Sequence, residues 1–310
     1  MIKPSAINRE DFNLLVELAM REESYRNMRP VIEKELLHYD LLFALDKQGL
    51  LDKLVFQGGT SLRLCYGSSR FSEDLDFTGG YDFTTSKLLD MKECIETYIA
   101  SRYGLEVSVK EPAEISAEPE SQDIKVDKWQ IAITTSPTRK DLPKQKIKIE
   151  VCNIPSYTKT PQALNANYDF LPDGYGDLLI MTESLDEIMA DKLISLVNTT
   201  RYVRHRDIWD LRWLKQRGCS INKQFILSKI NDYKIIDYPE KLKATIANIE
   251  KIIFSEGFHN ELSRFIPSNV QERTLKKDKF KAFLINETRL LLSETLTLFD
   301  GKSEQDEFYM

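Results

Sequence analysis

The segment that most constrains the fold places a glycine pair, Gly58 and Gly59, after a short apolar run and before two alternating aspartates, Asp74 and Asp76. Apolar residues alternate with the aspartates, and a period of two is that of a β-strand. Both carboxylates are therefore predicted to lie on one face of a strand and the apolar side chains on the other. The glycine turn is predicted to follow a first strand over 53–57, so this part of the chain indicates an α/β fold.

The same segment indicates a specific kind of chemistry. Two carboxylates held side by side repel each other unless a cation lies between them. Hard divalent cations such as Mg²⁺ or Mn²⁺ prefer oxygen ligands, and Mg²⁺ keeps positions open for substrate phosphates. The glycine turn exposes backbone N–H groups at the start of the next helix, where an anion binds well. A phosphate-binding turn and a metal-binding pair are the minimum apparatus for nucleotidyl or phosphoryl transfer.

Apolar periodicity and turn residues divide the chain into two parts. Helices are predicted over 10–20, 31–49, 60–66 and 85–102, and strands over 53–57, 73–78, 105–110, 128–135 and 146–152. Residues 111–127 are predicted to form a surface loop, and 153–181 are rich in Pro and Gly and are predicted to be mostly loop. From 184 onward the pattern is helical, and the acidic tail 303–308 is expected to be disordered. The predicted domains are therefore 1–155 and 156–310.

Composition is that of an ordinary globular protein. The chain has 310 residues, of which 42% are hydrophobic and 30% are charged. It has no apolar run of about 18 residues, so no membrane-spanning helix is expected. It also starts without an apolar signal-peptide core, and four scattered cysteines indicate reduced thiols, so a cytoplasmic protein is expected. The net charge of −6 argues against general coating of nucleic acid but is compatible with a local basic groove.

The glycine turn followed by Asp-x-Asp resembles the nucleotidyltransferases of the polymerase-beta superfamily. The longer string from Gly58 to Leu62, with Arg70 to Phe77, resembles the AbiEii/AbiGii toxin family of bacterial toxin–antitoxin and phage-abortive-infection systems. This resemblance implies a polymerase-beta-like nucleotidyltransferase domain with a mixed sheet, followed by a helical C-terminal domain that contributes to the nucleotide cleft. Nucleotide-binding roles are implied for Gly58, Gly59, Thr60, Ser61 and Arg70.

A third carboxylate is expected on a later strand. The segment 146–151 alternates, with Ile147, Ile149 and Val151 on one side and Glu150 among the polar residues on the other. In the resembled superfamily a third carboxylate joins the Asp pair, and Glu150 is the best match. It could help to hold the metal or accept a proton from the attacking hydroxyl. The alternative is a solvated strand face with Lys–Glu pairing.

Two further motifs lie in the predicted helices after residue 184. Lys192 falls on an apolar helical stripe, so it either extends to solvent or points into a polar cleft. The resembled family carries a lysine here that contacts nucleotide phosphates. The Arg-Asp-x-x-Asp-Leu portion, with Asp207 and Asp210, also matches the family. These carboxylates could belong to the nucleotide cleft and orient Lys192, or they could form a helix-start acidic pair that balances nearby arginines.

A basic stretch surrounds the second motif. Its cations are Arg201, Arg204, Arg206, Arg212, Lys215 and Arg217. In an acidic chain, so many cations close to the motif suggest binding of phosphate, either of a triphosphate or of an RNA backbone. The alternative is a solvated face.

The resemblance implies transfer of a nucleoside monophosphate from an NTP to an RNA acceptor, the tRNA 3′ end in the studied members. Catalytic roles are implied for Asp74, Asp76, Glu150, Lys192 and Asp207, with Lys192 and Asp210 in the nucleotide site and the metal on Asp74, Asp76 and Glu150. A cognate antitoxin is expected, without a stable complex. One alternative is a small-molecule or protein nucleotidyltransferase, which would use the same metal site. Another is a non-catalytic nucleotide-binding or partner-binding module, against which the joint presence of the acidic residues and Lys192 argues.

Overall fold

A computed structural model describes residues 9–114, 124–139, 141–172, 174–199 and 201–299 of the chain. The chain forms two compact units, and it passes from the first to the second between Glu183 and Ser184. Residues 115–123 of the loop predicted over 111–127, and the acidic tail 303–308, lie outside the described residues.

The first unit contains a mixed sheet and four α-helices among its described residues. The helices are α1 (Phe12–Ala19), α2 (Arg29–Lys47), α3 (Gly58–Leu64) and α4 (Met91–Tyr103). The strands are β1 (Val55–Gln57), β2 (Leu75–Thr78), β3 (Val107–Lys110), β4 (Val126–Ile133), β5 (Gln145–Cys152), β6 (Thr160–Ala163) and β7 (Leu179–Thr182).

Strand β2 lies at the centre of the sheet, whose order is β3-β4-β5-β2-β1-β7-β6. It pairs antiparallel with β1 and parallel with β5, so the sheet is mixed, as the family resemblance implied. Leu75 and Phe77 of β2 are buried, as are Ile147, Ile149 and Val151 of β5. The period-two alternation therefore buries one row of side chains on each strand, and burial of that row anchors the two strands in register.

The structure corrects the domain boundary predicted after residue 155. Strands β6 and β7 lie inside the segment predicted to be mostly loop, and β7 joins the sheet through a parallel pairing of Phe56 with Thr182. Among the described residues β6 pairs with β7 and forms the edge of the sheet, where its Pro161 is tolerated because an edge strand can spare one N–H donor. The first unit therefore extends to Glu183.

The second unit is helical in its described residues, as the sequence predicted. Its helices are α5 (Leu185–Asn198), α6 (His205–Gln216), α7 (Lys223–Asp232), α8 (Tyr238–Ile253), α9 (Glu256–Ser263), α10 (Ser268–Arg273) and α11 (Asp278–Thr297). Helix α5 begins at a Ser184 cap, whose hydroxyl accepts a hydrogen bond from the Glu187 N–H. Its apolar stripe, including Ile188 and Leu193, is fully buried. None of the helices in the described residues is long and apolar enough to cross a membrane.

Candidate active site

The acidic side chains of β2 and β5 lie next to each other because of the strand register. Asp76 is the direct partner of Glu150 in the parallel pairing of these two strands. Asp74 lies immediately before β2, and its Oδ1 accepts a hydrogen bond of 3.0 Å from the Lys148 backbone N–H. Asp74, Asp76 and Glu150 are all partly exposed, whereas the apolar residues between them are buried. The sequence-predicted carboxylates are therefore all accessible along the central strands.

The glycine turn lies against the Asp pair. Gly58 has φ +79°, which an L side chain rarely adopts, and a Cβ placed on it would come 2.6 Å from Asp76 Oδ2. A Cβ on Gly59 would come 2.5 Å from Arg70 Nη2 and 2.9 Å from Ser72 Oγ. Both positions therefore require glycine because side chains approach the backbone of the turn too closely for a Cβ.

Three predicted nucleotide-binding side chains are buried beneath this turn. Thr60, Ser61 and Arg70 are each at most 2% exposed. The Thr60 hydroxyl donates to the backbone oxygen of Asp74, and the Ser61 hydroxyl donates to the Gly58 oxygen at 3.0 Å. Arg70 Nη1 donates to the Phe71 oxygen at 2.7 Å. These side chains hold the turn and the start of β2 in place.

Helix α2 braces the segment before the Asp pair. Lys34 Nζ lies 2.8 Å from Glu73 Oε1, and His38 Nε2 lies 3.0 Å from the Glu73 backbone oxygen. Burial lowers the pKa of His38 to about 4, so the imidazole is neutral at physiological pH and its Nε2–H donates to the carbonyl. The position of Glu73, one residue before Asp74, is thereby fixed by two side chains from one helix.

The neighbourhood of Glu150 is mixed in charge. Lys128 is its partner in the antiparallel pairing of β4 with β5, and Lys128 Nζ lies 3.9 Å from Glu150 Oε1. Both side chains are more than a quarter exposed. Such a pair contributes about 0–1 kcal/mol, so it leaves the Glu150 carboxylate able to exchange partners. Among the described residues, no group of three or more His, Cys, Asp or Glu side chains is already gathered around a single metal position.

A second cluster of predicted site residues lies in the helical unit. Lys192 of α5 is 7% exposed, and its Nζ lies 2.7 Å from Asp207 Oδ1 and 3.2 Å from Asp210 Oδ2. Both aspartates are on one face of α6 and are buried, Asp207 at 2% and Asp210 at 0%. Lys192 therefore points into a polar cluster and does not extend along the apolar stripe to solvent. The expectation that these carboxylates orient Lys192 agrees with these contacts.

Asp207 is the centre of this cluster. Its Oδ2 accepts hydrogen bonds from Ser195 Oγ at 2.7 Å and from Arg204 Nε at 2.8 Å. Burial alone would raise the pKa of Asp207, but the Lys192 and Arg204 cations outweigh burial and hold that pKa well below its usual range. Asp207 therefore stays ionised, and each of its oxygens is committed to a cation.

Much of the basic stretch is used inside the helical unit. Arg206 Nε lies 3.2 Å from Glu261 Oε1. The Arg212 guanidinium stacks 4.4 Å above the Trp209 ring, and burial lowers the pKa of Arg212 to about 10. The stretch is therefore not one uniform solvated face. Its exposed parts are residues 201–203, before α6, and residues 216–218, at the end of α6.

Sequence reasoning missed two contributors to these clusters. Ser195 lies one helical turn after Lys192, and that i,i+3 spacing on α5 could have indicated that both side chains meet the same partner. Lys128 of β4 gave no comparable signal, because its place beside Glu150 depends on strand pairing between distant segments.

Comparison with protein families shows which family the chain belongs to. Residues 40–286 match the family of the nucleotidyl transferase AbiEii toxin of type IV toxin–antitoxin systems. The chain belongs to the AbiEii family. The match contains the glycine turn, the Asp pair, Glu150 and the Lys192 cluster, and it continues through helices α7 to α10, to which the sequence motifs assigned no role.

One solved structure has a similar fold over most of the chain. The nucleotidyltransferase toxin MenT4 from Mycobacterium tuberculosis is similar with a TM-score of 0.57 and 18% identity, over 95% of this chain and 91% of MenT4. JHP933 from Helicobacter pylori has a TM-score of 0.46 and 19% identity, over 87% of this chain and 99% of JHP933. No curated protein sequence matches the chain.

Proposed function

We propose that this AbiEii-family chain transfers a nucleoside monophosphate from an NTP to an RNA acceptor, with the tRNA 3′ end as the preferred acceptor. The observation that carries the proposal is the pairing of Asp76 with Glu150 on adjacent central strands, with the Gly58 turn packed against the Asp76 carboxylate. An acidic pair can hold a divalent cation, and a glycine turn can bind a phosphate. Both are suited to nucleotidyl transfer, where a cation must neutralise the charge on the phosphate oxygens.

The donor set fits Mg²⁺ or Mn²⁺. Asp74, Asp76 and Glu150 offer carboxylate oxygens, the ligands that hard divalent cations prefer, on one open face. When bound, such a cation polarises phosphate oxygens and orients the NTP. Glu150 is the residue we assign to accepting the proton of the acceptor hydroxyl, because its carboxylate is partly exposed and its contact with Lys128, at 3.9 Å, is weak.

We assign binding of the triphosphate to the backbone N–H groups that begin α3 and to Lys192. The buried hydroxyls of Thr60 and Ser61 are used within the turn, so the backbone N–H groups that begin α3 are the candidate phosphate donors. Lys192 supplies a fixed positive charge, and Asp207 and Asp210 hold its ammonium group in position. Arg70 supports the turn from below and does not contact the nucleotide in this scheme, because it is 2% exposed.

Family membership also bears on biology. The AbiEii family belongs to type IV toxin–antitoxin systems, so an antitoxin is the expected partner. We propose that the antitoxin acts without a stable complex with this chain and that the reaction takes place in the cytoplasm, where NTP and tRNA are available.

The proposal is tested by incubating the purified chain with total RNA and each α-³²P-labelled NTP in turn, with and without Mg²⁺. Label is expected in RNA of tRNA size and only with the metal. Asp76→Asn is expected to reduce incorporation at least about 100-fold, because loss of a ligand worth several kcal/mol costs a factor of ten for every 1.36 kcal/mol. Asp82→Asn, the same change on an exposed loop of the same unit, is the matched control and is expected to keep wild-type incorporation.

Full incorporation by folded Asp76→Asn would refute the assignment of the acidic site. Label on a protein or a small molecule in place of RNA would refute the acceptor assignment and leave the acidic site standing.

A further inference from the structure

The segment 201–204 is a largely exposed connection before α6 that combines aromatic, aliphatic and basic residues. Tyr202 is 60% exposed and Val203 is 41% exposed. Arg201 is exposed, and the Arg204 side chain is 34% exposed. Single exposed aromatic residues are common on protein surfaces, so exposure of Tyr202 alone indicates nothing. The contacts that fix this ring are what distinguish it.

Tyr202 is tied to the buried cluster through Arg204. Arg204 Nη1 donates to the Tyr202 hydroxyl at 3.2 Å, while Arg204 Nε donates to Asp207 Oδ2 at 2.8 Å. The other oxygen of Asp207 holds Lys192 at 2.7 Å. The exposed ring is therefore positioned through the same carboxylate that positions the proposed phosphate-binding lysine.

This combination suits an unpaired stretch of nucleic acid. Proteins that bind single strands stack bases on exposed aromatic rings and place cations along the backbone. A fixed ring loses little conformational freedom on binding, so more of the stacking energy is available as affinity. In a duplex the base faces are stacked on one another, whereas an unpaired base leaves a face free to stack on such a ring.

We propose that Tyr202 is the stacking platform for an unpaired base of the RNA acceptor, with Arg201 and the exposed part of Arg204 contacting the adjoining phosphates. This inference rests on the proposed function, since it names the part of the RNA acceptor that the chain binds. The chemical class recognised is a single-stranded RNA end, whatever its sequence, because every base has a face that can stack.

The test measures binding separately from catalysis. In the full-length Asp76→Asn background, a fluorescein-labelled single-stranded RNA of about 12 nucleotides and a blunt-ended RNA hairpin are titrated by anisotropy at low salt. Tyr202→Ala is expected to weaken binding of the single strand about 5- to 150-fold, the range for loss of one base–aromatic stack. Tyr202→Phe keeps the ring face and is expected to retain most of the affinity. Phe254→Ala, at a 51% exposed aromatic residue of the same unit, is the matched control and is expected to change nothing.

Salt dependence tests the cationic part. Arg201→Gln is expected to lower the slope of log K against log salt concentration by about 0.7, the value for one phosphate contact with a single strand. The Tyr202 variants are expected to leave that slope unchanged, because stacking releases no condensed counterions.

Unchanged affinity of Tyr202→Ala for the single strand would overturn the inference, as would an equal loss in Phe254→Ala or an equal loss of hairpin binding. If the wild-type chain labels RNA but Tyr202→Ala labels and binds it equally well, only the stacking inference fails. If the wild-type chain labels a different acceptor and binds no single strand, the RNA part of the proposed function fails, and the inference fails with it.

Discussion

Replacement of Asp207 by Asn should destabilise the helical unit strongly. The carboxylate is 2% exposed and receives Lys192, Arg204 and Ser195 on its two oxygens. The amide keeps the shape but removes the negative charge, which leaves the buried Lys192 ammonium group with the Asp210 carboxylate at 3.2 Å. Breaking a buried pair by removing one partner costs about 3–5 kcal/mol. The Arg204 contribution is the smaller share, because its side chain is 34% exposed and solvent screens it.

The assay is urea denaturation followed by far-UV circular dichroism. With a slope of about 2 kcal/mol per molar urea, the expected loss moves the midpoint down by about 2 M. Glu272→Gln removes the charge of an exposed carboxylate that pairs with Lys276 in the same unit, and it is expected to leave the midpoint unchanged. A wild-type midpoint for Asp207→Asn would show that the carboxylate does not hold the cluster together.

The unfolding free energies of wild type and Asp207→Asn should differ less in acid. The folded-state pKa of Asp207 is lowered from 3.8, so the stability supplied by its charge is fully present above about pH 5 and is lost as the pH falls through 3.8 toward the folded-state pKa. Asn does not titrate. The difference in unfolding free energy between wild type and Asp207→Asn should therefore shrink between about pH 5 and pH 2.5, and a constant difference over that range would refute the lowered pKa.

Two further predictions concern substitutions of single residues at the candidate site. Gly58→Ala should impair both stability and transfer more than Gly67→Ala. Both glycines have positive φ, but only a Cβ on Gly58 would meet Asp76, at 2.6 Å. Equal effects of the two substitutions in melting and incorporation assays would exclude a role for that contact. Lys192→Met should lower kcat/KM for NTP at least tenfold more than Lys229→Met, which removes another buried lysine from the same unit; a parallel loss in both would make Lys192 structural.

Local patterns predicted the part of the fold that carries the acidic site. Alternation in β2 and β5 was sufficient to assign the buried and open faces, because burial of one row of side chains fixes each strand's orientation. Strands β6 and β7 escaped prediction because they lie in a segment rich in Pro and Gly and because β7 joins the sheet by pairing with a distant segment, as Phe56 with Thr182 shows. The sequence of β6 itself, with Pro161, favours a loop.

Side-chain partners from other elements explain what the sequence left open at the candidate site. Lys192 could extend to solvent or point into a cluster, and only the packing of α5 on α6 brings Asp207 to its ammonium group. The basic stretch looked uniform in sequence because the partner of Arg206, Glu261 of α9, lies far along the chain. Charge is readable from sequence, whereas neutralisation of that charge depends on tertiary structure.

The central place of β2 in the sheet determines what happens to the acidic pair when the edges of the sheet open transiently. Sheets fray from their edges, and here the edges are β3 and β6. Either edge strand can detach transiently while β2 keeps both neighbours, β1 and β5, so Asp76 and Glu150 stay paired through fluctuations that cost less than opening the core of the sheet. A population of partly opened molecules would therefore keep its acidic pair in register, and only near-global unfolding of the first unit would separate the two carboxylates.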